Sequence, residues 1–164
     1  MGPSLPDEHY MDLALEAAAA AGLAGDVPIG AVLVHEGEVL AVAGNRREQD
    51  DDPTAHAEIL VLRQAGARLG SWRLCDCTLY VTLEPCPMCM GAAINARISR
   101  LCFATRDPKA GAAVSCYHLG TDERLNHRML VTEGVRGWEA SEMLSRFFAS
   151  LRAGSREIWR PEPQ

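Results

Sequence analysis

The stretch Thr78–Ala96, TLYVTLEPCPMCMGAAINA, changes character in its middle. Thr78 to Leu83 reads as a strand with Tyr80 and Val81 at its centre. Pro87 to Ala96 reads as a helix, with proline near the first turn, where its missing N–H is no loss. Upstream, Thr54 precedes a helical stretch from Ala55 to about Leu69, whose apolar face carries Ile59, Leu62 and Leu69. Downstream, Ile98 to Phe103 is another strand. Helices alternating with strands imply a layered α/β domain.

Further out, Ile29–Val34 and Val39–Val42 are apolar, β-branched runs separated by His35, Glu36, Gly37 and Glu38, which predicts a β-hairpin. Met11, Leu13 and Leu15 lead into the run Ala17–Ala21 and predict an N-terminal helix ending near Gly22 or Gly25. Asn45–Pro53 is polar and reads as a loop, and Thr105–Asn126 is irregular. Met129–Thr132 is a last short strand. Trp138–Arg152 is an amphipathic helix with Met143, Leu144, Phe147, Phe148 and Leu151 on or near one face. The expected architecture has helices on both faces of a mixed sheet, in one domain over 1–153, followed by a loose tail over 154–164.

Of the residues, 48% are hydrophobic and 23% charged, enough to bury a core without disulfides. No apolar run approaches a membrane span, and Met1–Asp12 lacks the pattern of a signal peptide, so a cytoplasmic protein is expected. In that compartment the six cysteines read as metal ligands or free thiols. A net charge of -6 argues against non-specific coating of nucleic acid, though not against a local basic rim.

Two motifs carry the chemistry. His56-Ala57-Glu58 opens one predicted helix, and Pro85-Cys86-Pro87-Met88-Cys89 opens another. Zinc takes nitrogen and thiolate ligands in a tetrahedron, and a catalytic site leaves the fourth position to water. The two-residue spacer lets Cys86 and Cys89 converge on one ion, with His56 as the third ligand. Helix N-termini favour thiolate over thiol. On a regular helix Glu58 lies about 200° around from His56, so it stands apart from the ligands unless the first turn is distorted. A carboxylate beside metal-bound water serves as general acid and base. A lone Cys-x-x-Cys equally forms a redox pair or half of a structural site, with Cys75, Cys77 or Cys102 as a fourth ligand. H-x-E together with P-C-x-x-C is more specific, being a signature of zinc-dependent nucleobase deaminases. Cys75, Cys77, Cys102 and Cys116 then read as small core or surface residues.

At these residues the chain resembles the cytidine-deaminase-like superfamily, and more narrowly the bacterial tRNA-specific adenosine deaminases, the TadA family. The resemblance runs from about Tyr10 to Arg152. It includes Asp26-Val27-Pro28-Ile29-Gly30, Asp52-Pro53-Thr54-Ala55-His56-Ala57-Glu58, Leu79 through Cys89, Arg106-Asp107-Pro108-Lys109-Ala110-Gly111, Asn126-His127-Arg128 and Phe147-Phe148. Ala43 stands where relatives commonly carry glycine, and Val114–Leu125 matches weakly. The resemblance implies a three-layer α/β/α fold around a mixed five-stranded sheet, and one zinc ion per subunit. It implies hydrolysis of adenosine to inosine at the first anticodon position of a tRNA, with Glu58 protonating the ring nitrogen and then the departing ammonia.

By the same resemblance, Asn45 would hydrogen-bond the flipped nucleotide, and backbone N–H groups near Ala57 and Cys86 would meet the base edge. Asp107 and Lys109 would contact neighbouring nucleotides, and Phe148 and Arg152 would reach the RNA from the last helix. As bare residues, Asn45 reads as a loop former, Asp107 and Lys109 as a turn beside Pro108, and Phe148 equally as core. Arg46, Arg47, Arg106, Lys109, Arg128 and Arg152 are candidates for a basic rim. The partners implied are a tRNA anticodon stem-loop and a second copy of the chain. The apolar run Met88–Ile94 suits such a dimer and suits a core equally. Two rivals share the zinc motifs: a deaminase of free guanine, cytosine or nucleosides, and a non-catalytic zinc-stabilised module. Asn126-His127-Arg128 and Phe147-Phe148 argue against the first.

Overall fold

Residues 5–154 are described by a computed structural model. The tail expected over 154–164 therefore lies, Gly154 apart, outside the described residues. Helix α1 (Leu5–Leu23) buries Met11, Ala14, Leu15, Ala18 and Ala21, a stripe spaced by three and four residues. Its alanines let the helix backbone rest directly on two glycines. A Cβ on Gly30 would lie 1.9 Å from the Ala14 carbonyl oxygen, and one on Gly44 would lie 2.6 Å from that of Ala17. Those glycines begin β1 (Gly30–His35) and end β2 (Glu38–Gly44), which form the expected hairpin. Glu36 and Gly37 both have positive φ, 48° and 80°, the turn whose twist matches paired strands.

The remaining elements follow in the expected order, with shifted ends. They are α3 (Ala57–Leu69), β3 (Cys77–Leu83), α4 (Pro87–Asn95), β4 (Arg100–Thr105), β5 (Leu130–Glu133) and α5 (Gly137–Arg152). The segment expected to be all loop holds a short helix, α2 (Arg47–Asp50). It forms because the buried Asp26 carboxylate accepts the Glu48 N–H at 3.0 Å and the Gln49 Nε2 at 3.0 Å. The irregular stretch contains one 3₁₀ turn, Leu119–Thr121.

The five strands run in the order β2-β1-β3-β4-β5. β1 is antiparallel to both neighbours, and β3, β4 and β5 are parallel, so the sheet is mixed. Alternation divides the core in two. Leu33, Leu79, Val81, Leu101 and Phe103 pack with Val61, Leu62, Met90 and Ile94 of α3 and α4. Val32, Tyr80, Cys102 and Ala104 pack with Met11, Leu15 and Ala140 of α1 and α5. This is the three-layer α/β/α arrangement. Asp7 ties α1 to the sheet, accepting the Tyr80 hydroxyl at 2.8 Å and both terminal nitrogens of Arg100 at 2.7 and 2.8 Å.

Two helix faces differ from expectation. The buried side of α3 is Ala57, Glu58, Val61, Leu62 and Ala65, while Leu69 stands exposed beside the C-terminal Gly70. On α5, Ala140 and Phe147 are buried, with Met143 and Leu144 half-buried. Phe148, one 100° step around from Phe147, is 41% exposed, and Leu151 is exposed too.

Candidate active site

α3 and α4 begin beside one another at the ends of their loops, and each begins with a chemically active residue. His56 is the N-cap of α3, with φ -73° and ψ 148°, and Cys86 is the N-cap of α4, with φ -74° and ψ 172°. His56 therefore precedes the helical turn that carries Glu58, and the separation expected on a regular helix does not apply. The His56 side chain makes no cap bond to α3, and it faces the Cys86 side chain across the two helix starts. Pro87 at the start of α4 presets the first turn, which brings Cys89 round to the same side.

His56 Nδ1 lies 3.7 Å from Cys86 Sγ and 3.5 Å from Cys89 Sγ. With ordinary zinc–nitrogen and zinc–sulfur bond lengths, the N···S edge of a tetrahedron is about 3.6 Å. The three donors thus fit a tetrahedral metal, all lying within 4.8 Å of one another. Among the described residues no fourth His, Cys, Asp or Glu atom joins the cluster, which leaves one position open. Cys75, Cys77, Cys102 and Cys116 are free thiols outside it.

The donors are electronically unequal. A hydrogen bond from Cys89, reinforced by His56, pushes the Cys86 thiol down to about 4, and the same pairing pushes Cys89 up. Its bond to Cys86 raises His56. Glu58 is 4% exposed, and burial lifts its carboxyl above the usual range against the pull of the Cys89 thiol, its own N–H and His56. That is the direction a general acid–base group needs.

Asn45 is buried beside this centre. Its Oδ1 accepts the Ala57 N–H at 2.9 Å and so caps α3 from twelve residues away, in place of His56. The Ala57 amide expected to meet a base edge is engaged by that bond.

Other expected residues gather in a cleft of about 440 Å³. Lys109, Phe148 and Arg152 line it together with Arg106, Thr105 and Leu144. Phe147 fills the core and packs edge-on against Phe148 at 5.6 Å, which leaves the Phe148 ring to the cleft. Arg106 is held by Glu133 at 2.7 Å, whereas Lys109 and Arg152 have no acidic partner among the described residues. The Asp107 carboxylate is occupied within its own exposed turn, accepting the Lys109 and Ala110 N–H groups. Arg46 and Arg128 do not join the cleft: they pair with Asp50 and Glu123.

One residue escaped the sequence reading. Glu84, 2% exposed, accepts four backbone N–H groups and a hydroxyl from residues 107–115. Burial pushes its carboxyl up, but the Ser115 hydroxyl and these amides outweigh burial and hold it below the usual range. Only its place two residues before Cys86 hinted at it.

A model of the MafB19-like deaminase family matches residues 6–152. The tRNA-specific adenosine deaminase of Bacillus subtilis is 49% identical over 146 residues, covering 89% of this chain and 91% of that one. The tRNA-specific adenosine deaminase of Haemophilus influenzae is 45% identical, covering 89% of this chain and 85% of its own. A structure solved in studies of A-to-I editing by tRNA:A34 deaminases superposes with a TM-score of 0.80 at 47% identity, over 83% of this chain and 99% of the other. Guanine deaminase from Nitrosomonas europaea superposes with a TM-score of 0.76 at 27% identity, over 87% and 84%.

Proposed function

The chain belongs to the tRNA-specific adenosine deaminase family, and from that premise we propose that it hydrolyses adenosine to inosine at the wobble position of a tRNA anticodon. The observation that carries the chemistry is the meeting of His56, Cys86 and Cys89 at two helix N-termini, with buried Glu58 alongside. The residue-poor similarity to a guanine deaminase, 27% against 45–49% for the tRNA enzymes, weighs against a free-base substrate.

The donor set of one imidazole and two sulfurs suits zinc, one ion per subunit. Zinc bound there would supply Lewis acidity, making water nucleophilic near neutral pH. Glu58 takes a proton from the attacking water and passes it to ring nitrogen N1 of adenine. It then relays a second proton, taken from the hydroxyl now on C6, to the amino group. The C6–N bond breaks, the carbon keeps the water oxygen as a carbonyl, and ammonia leaves. Burial of Glu58 makes its carboxyl easier to protonate, which suits a group that must hold the proton between the two transfers. Asn45, braced through Oδ1 on Ala57, keeps its Nδ2 donor for the flipped nucleotide. Lys109 and Arg152, without an acidic partner among the described residues, offer positive charge to the RNA backbone, and Phe148 offers a ring face to an unstacked base.

We further infer a homodimer. α3 and α4 share an apolar groove of about 720 Å³ lined by Leu62, Ala67, Trp72, Ala92 and Ala96, and Met88 is exposed nearby on α4. A monomeric mass at micromolar concentration would count against it. The proposed tRNA substrate supports a cytoplasmic location, and no helix among the described residues is long and apolar enough to cross a membrane.

The decisive assay offers zinc-loaded protein an adenosine-containing anticodon stem-loop alongside guanine, cytosine and cytidine. Inosine should form in the stem-loop alone. Glu58→Ala should retain zinc and fold but lose turnover by roughly 10²–10⁴-fold. Rapid turnover of a free base without inosine would overturn the substrate. Near-normal activity of Glu58→Ala would remove Glu58 from the mechanism.

A further inference from the structure

We infer that Glu84 is a positioning residue for RNA recognition: its buried carboxylate is the post around which residues 107–115 wind, fixing relative to Cys86 the segment that brings Lys109 to the wall of the cleft. Glu84 sits in the turn that leaves β3, two residues before the metal-ligating position. Its own N–H bonds Thr105 at 2.9 Å, and the adjacent Pro85 carbonyl accepts the Ala112 N–H at 2.8 Å. One carboxylate oxygen, Oε2, takes the amides of Ala113, Val114 and Ser115 at 3.2, 2.9 and 2.9 Å. The other, Oε1, takes the Asp107 amide at 3.1 Å and the Ser115 hydroxyl at 2.5 Å. Gly111 is where the loop presses closest. A Cβ there would lie 2.3–2.4 Å from the Glu84 carboxylate atoms.

A buried carboxylate is tolerated only when its lone pairs are filled, and here the loop fills them. The same turn thus delivers Cys86 to the metal site and anchors the segment bearing Lys109. A wall without this anchor would still form a cleft, but its distance from the reacting base would vary. The inference rests on the proposed reading of the cleft as the RNA site.

The substitution Glu84→Gln tests it sharply. Glutamine keeps one oxygen for the three amides at Oε2 and turns its NH₂ toward Asp107 N–H and the Ser115 hydroxyl. The hydroxyl can rotate to accept; the Asp107 amide cannot. Zinc-loaded Glu84→Gln should therefore keep parental metal content. Asp107 amide hydrogen exchange should quicken by roughly tenfold or more, while Ala113, Val114 and Ser115 stay protected. With the anticodon stem-loop, KM should rise by about tenfold while kcat stays within a factor of about three. Gly111→Ala, which pushes the loop off an intact carboxylate, should show the same rise in KM. Glu84→Ala should expose all four amides to exchange, and if it fails to fold, the other two variants carry the test.

Parental Asp107 exchange with parental KM in Glu84→Gln would overturn the inference. So would a fall in kcat accompanied by zinc loss at unchanged KM, which would place Glu84 on the metal side. If the parent protein forms no inosine, the proposed function fails, whereas the exchange measurement still decides whether Glu84 holds Asp107.

Discussion

Asn45 joins the stability of the fold to the geometry of the site, and the two roles can be separated. Its side chain is 3% exposed, and its Oδ1 is the acceptor for the first N–H of α3, on Ala57, which is wholly buried. His56, the N-cap, offers that helix no side-chain bond. Asn45→Ala therefore leaves a buried N–H without an acceptor, at a cost of about 1–3 kcal/mol. Loss of a helix cap falls in the same range. For a domain of this size each kcal/mol moves the midpoint by about 2–4 °C, so the zinc-loaded variant should melt roughly 2–12 °C lower. Asn45→Asp keeps the acceptor and discards the Nδ2 donor. It should melt closer to the parent than Asn45→Ala does, yet raise KM for the stem-loop at least as much. Calorimetry at saturating zinc, so that metal linkage is constant, gives the first quantity, and steady-state kinetics the second. Equal melting losses in the two variants would show that the Oδ1 bond is not what Asn45 contributes. An Asn45→Ala variant melting with the parent would refute the capping argument outright.

Lys109→Ala and Arg152→Ala should each raise KM for the stem-loop and lower the salt dependence of binding by about 0.7 per single-strand phosphate contact, read from titrations at several salt concentrations. Asp7→Ala should destabilise by about 3–5 kcal/mol in denaturant unfolding, because it strands the Tyr80 hydroxyl and a partly buried Arg100. Thiol labelling of the native protein should modify the exposed Cys75 and Cys116 first, with Cys77 and Cys102 protected until unfolding. Burial pushes those two up to about 11 and about 12 from an ordinary 9.0. Their folded values lie above the unfolded one, so the unfolded chain loses protons first and stability should fall as pH rises from 9 towards 11, in unfolding measured across that window.

The cluster proposed to hold the metal was readable because its information is local. His56 and Glu58 lie two residues apart, Cys86 and Cys89 three, and helix starts are marked by short-range chemistry such as Pro87. The run centred on Tyr80 and Val81 likewise announced a strand, and the fold covers it on both faces. The short helix α2 was hidden because its cap, Asp26, is 22 residues away from Glu48. Phe147 and Phe148 are neighbours of one chemical kind, and only packing against the sheet sends one inward and the other to the cleft.

Glu84 marks the boundary most clearly. Periodicity, capping preferences and ligand spacing act over a few residues, so composition and motif order were enough for the α/β layering, the deaminase chemistry and the His56, Glu58, Cys86 and Cys89 set. The carboxylate of Glu84 takes its partners from 23 to 31 residues along the chain, in a segment with no regular secondary structure. Such bonds leave no local pattern, because their partners are backbone amides that every residue except proline carries. The reaction was therefore written in short motifs, while the shape of the surface proposed to choose the substrate arose only when distant turns closed around one buried charge.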